Sequence, residues 1–173
     1  MIANIFDFEY RQSISNICAQ VRNAMIKDFV PNYLGAKRFS IEQWLGQNTE
    51  IVKALFDLDD NQLSIIADGT YCYCQKSSNN MIQGKLYSGH KNRPLVKPFV
   101  ITTSNGKIID VYGNHASTDN DASIMEYVLI KDNHLRDLLK KGHLAIFYRG
   151  FLNCISRLKS AYGLNCKIPT CKF

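Results

Sequence analysis

No Asp or Glu occurs from Gly69 through Ile109, and none follows Asp137. Six Lys/Arg residues lie in residues 69–109 and seven in residues 138–173, so the net charge of +6 hides two acid-free basic blocks. Such blocks suit a polyanion partner, or a solvated surface. Long apolar runs are also missing. The longest, such as Leu144 to Tyr148, fall far short of the roughly 18 residues that span a bilayer. The N-terminus lacks the basic start and apolar centre of a signal peptide, so the expected location is intracellular, nucleus or cytoplasm, with no membrane partner. The paired-knuckle spacing of a zinc site is lacking too. Cys72 and Cys74 would have to join Cys166, Cys171 or His143 across Cys-x-Cys and Cys-x4-Cys spacings, so the six cysteines read as reduced thiols. The four histidines show no metal-ligand spacing, and no repeat or low-complexity tract is present.

What is there begins with helices. Ile14, Ile17, Cys18, Val21 and Met25 recur at helical spacing behind Ser13, and Pro31 predicts an end near Asp28. Arg11, Gln12, Ser13, Asn16, Gln20, Arg22 and Asn23 line the polar side of this helix, a set able to reach bases or simply to face water. Ser40 to Gln43 has the form of a capping box for a short helix ending at Gly46. Thr49 caps another, with Ile51, Val52, Leu55 and Phe56 expected to face inward. The periodicity then changes at the acidic linker Asp57 to Asn61. Residues 63–74 read as a strand with Asp68, Thr70, Cys72 and Cys74 on one face. Gln75 to Arg93 reads as a long loop or a pair of turns.

Leu95 to Thr103 and Lys107 to Tyr112 read as two further strands joined by a two-residue turn at Asn105-Gly106, giving a three-stranded antiparallel meander. A helix from Asp121, a second one capped by Asn133, a buried strand over His143 to Phe147 and a helix ending at Gly163 follow. Asp121 is expected to cap its own helix. The last ten residues are expected to add no further layer, leaving a sheet edge and an apolar helix face uncovered. This order predicts an α/β protein with the front half of an RNase H-like fold. Residues 1–58 would form a helical segment with a partial helix-turn-helix, and residues 59–173 the truncated RNase H-like domain.

The segments DGTYCYCQKSS, YSGHKNRPLVKP, NDASI and the RGF after an apolar strand resemble the catalytic domain of Harbinger-type DDE transposases and their domesticated nuclease relatives. RQSISNICAQVRNAM, KDFVP, IVKALF and YGLNCKIP resemble further landmarks of that family. The resemblance implies an Asp-Asp-Glu triad holding two divalent ions, Mg2+ or Mn2+, that cut DNA. It also implies DNA and a Myb-like protein as partners.

Asp68 matches the first acid and is the implied metal ligand. The second belongs immediately before Arg149-Gly150-Phe151, where this chain has Tyr148. The third belongs on a later helix that the chain does not reach, so catalysis is expected to be impaired. Lys76, Lys85, His90, Lys91, Arg93, Lys97 and Arg149 are the expected contacts to a nucleic-acid backbone. Two alternatives stand beside this reading. One is an active nuclease completed by an oligomer or a longer product, and the other is a basic binding module without catalysis.

Overall fold

A computed structural model describes residues 10–168. Helix α1 (Arg11–Ala24) does not stop near Asp28. It runs through a π-turn at Met25–Phe29 into a last turn at Val30–Tyr33. The amide of Val30 reaches back to Met25 O, and this wider turn lets Pro31 enter the helix at its N-terminal side, where no amide donor is required. The apolar stripe Ile17, Val21 and Met25 stays exposed. Helix α2 (Ile41–Leu45) carries the expected capping box, with Ser40 and Gln43 bonding to each other's amides. Its Trp44 is fully buried and donates Nε1–H to Ala36 O at 2.8 Å.

Thr49 caps α3 (Glu50–Phe56) as expected, but the inward face is not the expected one. Ile51 and Leu55 are 78% and 70% exposed. Seven residues make about two turns, and Val52 and Phe56 on the other edge are half-buried, with no residue of the helix fully buried.

Strand β1 (Ser64–Gly69) starts the sheet, and β2 (Cys72–Tyr73) resumes its path after Thr70 and Tyr71. The expected loop at residues 75–93 contains a helix, α4 (Asn80–Leu86). Asn79 caps it by accepting from the amides of Met81 and Ile82, so one of the asparagines that reads as loop composition is the start signal of a helix. Short β3 (Tyr87–Ser88) leads into β4 (Arg93–Thr103), which pairs antiparallel with β1, β2, β3 and β5 (Ile108–Ala116). The meander β1-β4-β5 is therefore present. Its turn is one residue longer than expected. Gly106 N donates to Thr103 O at 2.9 Å and Gly106 alone takes positive φ, +85°, so Ser104-Asn105 form the turn and Gly106 the bulge that closes it.

Helix α5 (Asp121–Lys131) and α6 (Asn133–Leu138) follow. The cap of α6 is Asp132, whose Oδ1 accepts from Leu135 N at 3.0 Å, rather than Asn133. Strand β6 (Leu144–Ile146) then pairs parallel to β1, as its continuous apolar run predicts. A 3-10 turn (Arg149–Cys154) and α7 (Ile155–Tyr162) end at Gly163, which caps in the left-handed conformation. The residues after it do extend the sheet, because Asn165–Lys167 form β7, parallel to β6. Three residues suffice there, since the strand only has to pair along one edge.

The seven strands form one mixed sheet with the main path β2-β4-β1-β6-β7. The odd-numbered residues Leu95 to Thr103 of β4 are buried, and Phe99 and Ile101 share the core with Ile124, Met125, Val128, Leu129, Leu135, Phe151 and Leu158 of the covering helices and turn. The even-numbered residues face the other side, where Ile66, Ile108 and Val111 are exposed.

Candidate active centre

The centre forms where β1, β4, β6 and the start of α5 meet. Ile65 and Ala67 point into the core, so alternation puts Asp68 on the more open face, opposite Val100 of β4. It lines a cleft of about 220 Å³ with Ile66, Ala67, Ile146, Phe147 and Tyr148. A larger cleft of about 610 Å³, between β5 and α5, meets the centre only at Asp119.

Asp121 is the residue whose place the sequence does not reveal. Asn120, one residue earlier, is the cap, accepting from Ser123 N at 2.8 Å. Asp121 is thereby left in the first turn of α5, where the helix dipole favours a carboxylate, and is only 4% exposed. Two adjacent residues can each cap, and the first one does. The second is aimed at β1 and β4.

Lys97 of β4 meets it. This lysine, expected among the backbone contacts, is 4% exposed, with Nζ 3.3 Å from Asp121 Oδ1 and donating to Asp119 O at 2.6 Å. Because Lys97 shares the odd-numbered face of β4 with Leu95 and Phe99, alternation carries it inward. Tyr148 completes the arrangement by donating its hydroxyl to Asp121 Oδ2. The Tyr148 ring folds back over Gly150, where a Cβ would meet it at 2.5 Å, and stands edge-on to Phe151 at 5.3 Å.

The electrostatics follow from this packing. Partial burial and the Asp121 charge raise the Asp68 carboxyl above its usual value, against the Gly69 amide and Lys97, which lower it. Burial, the bond to Asp121 and the charges of Asp121 and Asp68 push the Tyr148 phenol far above its usual value. It stays a neutral donor at any physiological pH.

For a carboxyl raised in the folded state, the folded protein holds its proton more tightly than the unfolded chain does, so stability falls as pH rises past 3.8. An Asp68→Asn variant is therefore expected to melt above wild type at pH 7, and the two curves should converge as pH is lowered towards 3.8. Thermal melts across that range check it.

Gly69 is where β1 lets the pair approach. A Cβ there would overlap Asp121 Oδ1 and lie 2.9 Å from Lys97 Cδ. Gly69→Ala should accordingly cost about 1–3 kcal/mol as an overpacked site, read by urea unfolding.

Of the other expected contacts, Lys76, Lys85, His90, Lys91, Arg93 and Arg149 are exposed. The Lys91 ammonium lies 5.8 Å over the Tyr71 ring and the Arg93 guanidinium 5.4 Å over the Tyr73 ring. For the zinc alternative, Cys72 is exposed and Cys166 buried, Cys171 lies outside the described residues, and His143 Nδ1 accepts from Leu63 N at 3.0 Å.

A mixed sheet with one carboxylate on its first strand, covered by helices on one face, defines an α/β fold of the RNase H-like kind. Residues 67–165, more than half of the chain, match the family model described as DDE superfamily endonuclease. The chain belongs to that family. Searches of the curated proteins and of the solved structures returned no match. The family acts on DNA and generally depends on divalent metal ions.

The donor set here does not fit a pair of such ions. Among the described residues no group of three or more His, Cys, Asp or Glu is placed to hold one. Asp121 Oδ2 already accepts from the Tyr148 phenol, and Oδ1, which has no hydrogen-bond donor, faces the Lys97 ammonium. Of Asp68 and Asp121, only Asp68 lies outside the pair with Lys97, and a two-ion site requires several carboxylates.

Proposed function

We propose that this protein is a transposon-derived, Harbinger-type DDE endonuclease relative that binds DNA and has lost most or all of its cutting activity. The observation that carries the reading is Tyr148. A neutral phenol stands where the Harbinger pattern has its second acid, and it is bonded to Asp121, a carboxylate whose charge reaches Asp68. A nuclease centre needs anionic oxygens to hold its ions, and a phenol of this kind offers none. DNA would be held by Lys76, Lys85, His90, Lys91, Arg93 and Arg149, all exposed. On the same reading the protein works in the nucleus beside a Myb-like partner.

Plasmid nicking with Mg2+ or Mn2+ tests the loss of cutting. No cleavage above background is expected, and cleavage abolished by Asp68→Ala would overturn the proposal. DNA affinity is expected to fall steeply with salt, by roughly 0.9 in log-log slope for each phosphate neutralised. The double variant Lys91→Glu/Arg93→Glu should flatten that slope by about 2. Affinity that ignores salt would remove the backbone contacts from the reading.

The alternative of an active nuclease completed by an oligomer or a longer product has one observation in its favour, the arrival of Asp121 close enough to raise the Asp68 carboxyl. Metal-dependent cleavage lost in both Asp68→Ala and Asp121→Asn would support it.

A further inference from the structure

We infer that Lys97 is the resident cation of this centre: its ammonium neutralises Asp121 in place of a divalent ion, so the protein assembles its acidic centre without metal. The inference rests on the reading of an altered centre given above and names what replaced the ions.

Four observations carry it. Lys97 and Asp121 are both almost completely buried, with side chains 6% and 4% exposed, and their charges lie 3.3 Å apart. A charge removed from water at this depth requires a partner, and each is the other's. The ammonium also has a second partner. Its short hydrogen bond to Asp119 O, 2.6 Å, anchors it in the Ala116–Asn120 connection, where Ala116 N donates to Asp119 Oδ2 at 3.0 Å. A buried cation between a carboxylate and a backbone carbonyl has the oxygen surroundings that a metal ion would seek.

The third observation is Asp121 Oδ1, buried and without a hydrogen-bond donor, whose nearest cation is this ammonium. The fourth is the fit. Gly69 leaves no room for even a methyl group between β1 and the Lys97-Asp121 pair, so the ammonium and carboxylate fill the space that β1, β4 and α5 enclose. The Tyr71 ring, 5.3 Å from Nζ, adds its face to the cation's surroundings.

The consequence is reciprocal. While Lys97 is present, a divalent ion approaching Asp121 meets a positive charge within ion-pair distance. Once it is removed, the buried carboxylate lacks a cation and should recruit one.

The test is thermal melting of the full chain with and without millimolar Mn2+. Wild type is expected to show no Mn2+-dependent shift. Lys97→Met is expected to melt lower and to be raised by Mn2+, with at least about tenfold tighter Mn2+ binding than wild type. The double variant Lys97→Met/Asp121→Asn should lose that response.

A Mn2+ shift in wild type that disappears in Asp121→Asn would overturn the inference, as would a folded Lys97→Met that ignores Mn2+. If Lys97→Met does not fold, the double variant decides. Folding once both charges are gone supports the pairing, and failure to fold overturns it. The nicking assay stands apart from these melts. Cleavage by a wild type that shows no Mn2+ shift would defeat the proposed loss of cutting and leave the Lys97 assignment intact.

Discussion

An Asp121→Ala variant is expected to lose about 3–5 kcal/mol of folding stability in urea unfolding at neutral pH. The loss is large because removing one member of a buried pair strands the other. Lys97 would keep a charge at 4% exposure with only the Asp119 carbonyl to receive it. Tyr148 would also lose the acceptor of its hydroxyl. Glu126→Ala on the same helix is the control. Its partner Arg157 is mostly exposed, and an ion pair with a solvated partner contributes about 1 kcal/mol or less. Equal losses in the two variants would show that the Asp121 pair carries no special weight.

Phe151→Ala is the second large effect, about 3–5 kcal/mol, for a different reason. Phe151 is fully buried where the sheet meets the 3-10 turn, stacked on Phe147 at 4.5 Å and tilted against Phe99 at 6.1 Å. Its truncation leaves a cavity between two rigid aromatic neighbours that cannot collapse into it. The Tyr148 ring leans edge-on against Phe151, so the same variant should loosen the phenol from Asp121. Phe151→Leu keeps most of the volume and should recover more than half of the loss. If leucine is no better than alanine, ring stacking rather than filled volume is what the site requires.

Much of the fold is legible in the sequence because it is written in local chemistry. The Ser40-Gln43 box, the Thr49 cap, the alternation through β4 and β5 and the apolar run of β6 each depend on residues within a few positions of one another. Where local signals mislead, a longer-range demand decides. Pro31 reads as a helix stop, yet the turn before it widens and the helix continues. Ile51 and Leu55 read as an inward face, yet both are exposed and only Val52 and Phe56 on the other edge of that short helix are half-buried. The asparagines before Met81 read as loop, and one of them is a cap.

The centre divides in the same way. Asp68 at the head of an acid-free basic segment, and Tyr148 before Arg149-Gly150-Phe151, stand out in the sequence itself, because each belongs to a contiguous motif. So does the DDE family of residues 67–165. Only the tertiary structure joins Lys97, Asp121 and Tyr148. They lie on β4, at the start of α5 and just after β6, and no local spacing relates a strand residue to a helix start 24 positions later. Alternation along β4 already turns Lys97 inward, and the tandem Asn120-Asp121 already leaves one of the two free of capping. What the fold adds is the closeness permitted by Gly69, which lets a buried ammonium and a buried carboxylate neutralise each other.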